Sequence, residues 1–169
     1  MRTLLHGLPG HPVHPPLTDA TIGAYTVATV LAVLGAFGVA EDRMATGWWL
    51  ALIVGLVVNA PTSITGLLDW REIPRGTALR RTATTHLVIM VGAALLFGLA
   101  ALVGYDGYSD GEIRALPLVL TLGGFGFLTA GGWIGGSIVF VHGMRVEEQP
   151  EKPSAEAIVP PREELREGG

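Results

Sequence analysis

Four long apolar runs, parted by short polar turns, dominate the chain. From Asp19 to Ala40 there is no Lys or Arg, and the run closes at Glu41, Asp42 and Arg43. A second run opens at Trp48 and Trp49 and ends at Asp69 and Trp70. A third goes from about Thr84 to Gly104 and a fourth from about Ala115 to His142, both without an internal Lys, Arg, Asp or Glu. Each is long enough, at about 1.5 Å per helical residue, to cross a hydrocarbon layer of about 30 Å. The pattern predicts an all-α membrane protein: a four-helix transmembrane bundle spanning 18–146, with spans at about 18–40, 48–69, 84–104 and 115–142. Within it, Thr18 is the expected N-cap of the first span and Pro117 fits the first turn of the fourth. Trp48 and Trp70 are expected to anchor the two ends of the second span in the headgroup layers. Asn59 and Pro61 predict a kink whose freed carbonyls turn to Thr62, Ser63 or Thr65. No sequence repeat is evident between the two halves.

Composition agrees with lipid. Of 169 residues, 49% are hydrophobic and only 15% charged, against roughly a quarter charged in an ordinary soluble domain. The 24 glycines fit closely packed membrane helices. There is no cysteine, which excludes thiolate ligands and Cys-ligated clusters. The net charge of −4 resides in residues 147–169, where Lys152, Arg162 and Arg166 stand against seven glutamates. That segment is expected to be a disordered acidic tail. The remainder is neutral, with no basic surface to recruit nucleic acid. Residues 1–17 hold three His and four Pro rather than the basic stretch of a signal peptide, so the first apolar run is expected to persist as a span.

An even number of spans gathers the N-terminus, the connection between spans two and three, and the C-terminus on one side. Near the membrane that side carries Arg2, Arg71, Arg75, Arg80, Arg81 and Arg145, while the other has Arg43 and Arg114. The imbalance predicts a cytoplasmic position for the first side and for both termini.

The same topology collects the histidines. His11 and His14 precede the first span, His86 opens the third and His142 closes the fourth, with His6 further out and expected in solvent. Neutral imidazoles on facing helices of a bundle are a common way to ligate iron, zinc or copper. His86 and His142 are the leading ligand candidates and His14 their competitor; His11 also suits a stiff, solvated His-Pro segment. About 27 Å of helix follows His86 and about 40 Å precedes His142, so the two rings need not share a depth. Asp19 and Asp69 are candidates to receive the second ring N–H of a ligating imidazole. Asp19 equally suits a helix start and Asp69 an ion pair with Arg71 or another loop arginine. In the fourth span, Gly131 and Gly135, like Gly132 and Gly136, recur at four-residue spacing, which fits tight helix packing or a groove for a flat macrocycle or lipid.

Three stretches together resemble a family: Gly10-His11-Pro12-Val13-His14-Pro15-Pro16-Leu17-Thr18-Asp19, His86 opening the third span, and Gly135-Gly136-Ser137-Ile138-Val139-Phe140-Val141-His142-Gly143. They look like the predicted membrane proteins catalogued as domain of unknown function 2231, over roughly residues 6–146. Many relatives read His-Phe-Pro where this chain has Asp19-Ala20-Thr21, so one imidazole of the family pattern is missing here. The resemblance implies a four-helix protein of the bacterial cytoplasmic (inner) membrane without an assigned reaction. Fusions of relatives to Rieske or cytochrome-type domains imply an electron-transfer setting, and by that association a non-covalent haem b. Two function classes follow: a haem-binding electron-transfer protein or redox-complex subunit, or a non-catalytic accessory subunit packing through its fourth helix. A zinc- or copper-binding membrane protein is the further alternative. No catalytic triad, zinc-protease or phosphate-loop motif occurs, and the sequence leaves the oligomeric state open.

Overall fold

The computed structural model describes residues 11–146, together with Gly7 and Ile158. Apart from Ile158, the acidic tail falls outside the described residues, as does His6. Within residues 11–146 five helices form: α1 His14–Ala36, α2 Glu41–Glu72, α3 Ala78–Val103, the short α4 Tyr105–Asp110, and α5 Ala115–Phe140. All but α4 are long and apolar enough to cross a membrane.

Helix starts differ from the hydrophobic pattern for local reasons. Helix α1 begins at His14, four residues early, because Pro15 and Pro16 occupy its first turn, where a missing N–H costs nothing. Thr18 therefore lies inside the helix, and its hydroxyl donates to the His14 carbonyl at 2.9 Å instead of capping. Helix α2 starts at Glu41, with Glu41 and Asp42 at the positive end of its dipole. Thr77 caps α3 by accepting from the Arg80 N–H at 3.1 Å. Around Pro61, α2 continues unbroken. The Thr62 hydroxyl donates to the Val58 carbonyl at 2.8 Å and the Thr65 hydroxyl to that of Pro61 at 3.0 Å; neither is the Val57 carbonyl, the one whose N–H partner Pro61 removes.

Helix α1 packs chiefly along α2 and α3 chiefly along α5, giving two hairpins; α2 also meets α3 and α1 meets α5. The core is built of Tyr25, Trp48, Leu52, Phe97 and Leu128 among alanines 28, 32, 93 and 100. Large apolar residues such as Val57, Leu95, Leu102 and Val119 point outward. In water such a surface would drive aggregation, whereas in lipid it is the solvent-facing side.

Trp48 departs from its expected place in the headgroup layer. Because α2 begins seven residues earlier, Trp48 sits well inside the bundle, fully buried, and its indole donates to the Thr121 hydroxyl at 3.1 Å. Trp49 donates to the Ala101 carbonyl at 2.9 Å and stacks on Tyr108 of α4 at 4.6 Å. At the opposite end, Trp70 donates to the Thr84 hydroxyl at 3.0 Å while the Arg80 guanidinium lies 3.5 Å over its ring. Arg80 also donates to the carbonyls of Trp70 and, at 3.0 Å, of Ile73, which ties the end of α2 to the start of α3.

Candidate functional site

The end of the bundle formed by the start of α1, the end of α2, the start of α3 and the end of α5 holds His14, His86 and His142. His14 reaches across to α2. Its Nδ1 lies 3.1 Å from the Thr62 carbonyl and 3.2 Å from the Thr65 hydroxyl. A carbonyl only accepts, so Nδ1 carries the proton and a neutral ring keeps its lone pair on Nε2. The ring lies against Gly66, where an added Cβ would come within 2.7 Å of His14 Cε1. Thr18 approaches Nε2 no closer than 3.5 Å, and its hydroxyl proton is already committed to the His14 carbonyl.

His86 is held the same way by α5. Its Nδ1 donates to the Gly131 carbonyl at 2.8 Å, and the ring covers Gly135, where a Cβ would stand 3.1 Å from His86 Cε1. Its Nε2 makes no hydrogen bond among the described residues.

His142 is held differently. Its Nε2 is the atom engaged, 3.1 Å from the Thr82 hydroxyl, one helical turn outward of His86 on α3. The turn ending α5 explains its neighbour: Gly143 has φ +65° and its N–H closes on the Val139 carbonyl at 3.1 Å, a left-handed cap suited to glycine. His11 is exposed beside an open groove of about 620 Å³ that also touches Pro12, Val13 and Leu17.

Asp69 is buried at the end of α2, 2.8 Å from the Arg145 guanidinium, which also reaches Glu72 at 3.1 Å. The loop arginine partner is therefore Arg145 from beyond α5. Asp19 is exposed on α1. Of the four spaced glycines, Gly131 faces Met90 and Ile89 of α3 and Gly135 faces His86, whereas a Cβ at Gly132 would meet nothing and one at Gly136 only Phe140 of its own helix. The inward pair is filled by α3 side chains. Among the described residues, no three His, Asp or Glu side chains converge as a metal cage.

Gly66, the Thr62 carbonyl and Thr82 escaped the sequence reading. Backbone carbonyls carry no sequence signal, and Gly66 is one glycine among many. What marks it is its distance of eleven residues from Gly55, the same spacing that separates Gly124 from Gly135.

Four apolar helices in two hairpins, with arginines and imidazoles gathered at one end, define a multi-pass helical membrane protein. The chain belongs to the family described as predicted membrane protein (DUF2231), whose model matches residues 10–148. No curated protein and no solved structure matches it.

Proposed function

We propose that this protein holds a b-type haem between His14 and His86 and serves electron transfer in a bacterial cytoplasmic membrane, within a redox complex that includes a Rieske or cytochrome-type partner. The observation that carries the reading is the shared way these two imidazoles are held. Each gives its Nδ1 proton to a carbonyl of the neighbouring helix and rests on a glycine, which fixes the tautomer, raises the basicity of Nε2 and leaves that atom for iron. His142 is held differently, through its Nε2 and the Thr82 hydroxyl at 3.1 Å, so it does not share this arrangement. The donor set also favours haem over a bare zinc or copper ion. A haem brings four ring nitrogens and asks the protein for two imidazoles, whereas a four-coordinate ion needs a protein cage.

When bound, the haem would supply a reversible one-electron centre. The chain's own part is to orient the two rings, to keep water from Gly131 and Gly135 with Met90, Ile89 and His86, and to surround the site with apolar helices. The arginine-rich end is assigned to the cytoplasm by the excess of Arg near it. A reporter fused after Gly143 should read cytoplasmic; a periplasmic signal reverses the assignment.

The test is spectroscopic. Protein purified in detergent after expression with haem supplied should show a Soret band and sharp reduced α and β bands. His14→Ala and His86→Ala should each abolish the sharp bands, and His142→Ala should retain them. A wild-type sample without a Soret band defeats the proposal. An accessory-subunit role is the second reading, drawn from Gly126 and Gly132, whose outward faces are open to a partner helix.

A further inference from the structure

A constant shift in residue number within each helix relates the two hairpins. Adding 72 to the numbering of α1 carries His14 to His86 and Tyr25 to Phe97. The six buried positions of α1, Thr21, Tyr25, Ala28, Thr29, Ala32 and Gly35, land on 93, 97, 100, 101, 104 and 107, every one of them buried. Adding 69 to the numbering of α2 carries Gly55 to Gly124, Thr62 to Gly131 and Gly66 to Gly135. The shift changes by three in the outer turns, where insertions and deletions are tolerated.

Contacts follow the same map. Tyr25 lies on Gly55 as Phe97 lies on Gly124, and His14 lies on Gly66 as His86 lies on Gly135. His14 bonds the Thr62 carbonyl as His86 bonds that of Gly131. A common helical period would align apolar faces, but it does not require a histidine, an aromatic ring, two glycines and one carbonyl to fall in register together.

We infer that the chain is an internal duplication of a two-helix hairpin, and that each copy supplies one imidazole to a single ligand on the pseudo-two-fold axis. The second clause rests on the haem reading above; the first does not. Each copy crosses the membrane twice, so the copies run parallel and the axis lies along the membrane normal. Tyr25 and Phe97 mark it: equivalent residues, they stack on each other across the bundle centre with centroids 4.0 Å apart and planes within 10°. Eleven residues, just over three helical turns, separate each of these rings from its histidine, so both imidazoles stand on the axial faces of α1 and α3, about 16 Å toward the arginine-rich end. A ligand bound between them would take one imidazole from each copy, and a metal macrocycle would supply the metal for the two to hold.

Two measurements test the parts separately. The chain has no cysteine, so spin labels can be placed at chosen outward positions. The duplication requires that the label distance for Val27→Cys with Ile64→Cys equal that for Leu99→Cys with Trp133→Cys. It also requires that the crossed pairs, 27 with 133 and 99 with 64, equal each other. Crossed distances that differ by more than the width of one label distribution overturn the duplication. For the shared ligand, His14→Ala and His86→Ala should each convert a low-spin haem signal to high-spin, and added imidazole should restore it in both. A change in only one variant overturns the shared site. A wild-type sample that takes up no haem removes the proposed function and the shared ligand together, leaving the label distances to decide the duplication alone.

Discussion

The two hairpins share a plan but not a tightness. In the first, a Cβ added at Gly55 would lie 2.5 Å from Tyr25 Cε1 and one at Gly66 would lie 2.7 Å from His14 Cε1; in the second, the matching approaches at Gly124 and Gly135 are both 3.1 Å. The first pair of helices also exchanges hydroxyl contacts, Thr21 with Thr62 at 3.0 Å and Thr62 with the Leu17 carbonyl at 3.2 Å, where the second sets Met90 over Gly131. A thioether adapts its shape, whereas these hydroxyls link the two helices directly. At these matched glycines the first hairpin is the tighter; the closest approach in the second, 2.4 Å from a Cβ at Gly131 to Met90 Sδ, meets a flexible thioether that can move aside.

The largest expected break in this contrast is Gly55→Ala. It forces a methyl into the Tyr25 ring and should cost about 1–3 kcal/mol, as overpacking does. Gly124→Ala should cost visibly less, because Phe97 need give only a few tenths of an ångström. Thermal unfolding in detergent compares them, and equal losses would refute the difference in tightness. Gly66→Ala against Gly135→Ala asks the same question at the histidines, with the larger loss expected at Gly66. The smallest effect, and the opposite sign, belongs to Tyr25→Phe. The Tyr25 hydroxyl is buried with no hydrogen-bond partner among the described residues, so removing it should be neutral or stabilise by up to about 1 kcal/mol. A clear loss of stability on that substitution would mean that the hydroxyl has a partner, such as a bound water.

The four spans were legible because a run of some twenty apolar residues has one main physical reading. Their starts were less so: His14 and Glu41 begin helices in polar sequence, through proline geometry and the helix dipole, which hydrophobicity does not register. The gathering of His14, His86 and His142 at one end followed from counting spans. Which of them are held alike did not, because the choice depends on carbonyls and glycines of a neighbouring helix. His86 and His142 looked like the natural pair on facing helices, yet His142 belongs to a helix-ending turn and the structural match to His86 is His14. The repeat stayed hidden since few residue types survive between the copies. The lipid-facing positions interchange freely among Val, Leu, Ile and Gly, and a three-residue change in the outer turn breaks the register midway.

The clasp of Arg145 on Asp69 and Glu72 has a mechanical consequence. It fastens the strand leaving α5 to the end of the first hairpin, so the two hairpins are laced together where the chain exits the bundle. A pull on the segment that leaves α5 would arrive first at Asp69 and Glu72, the two carboxylates that hold Arg145. The exit segment is thus a tether between the last span and the first hairpin.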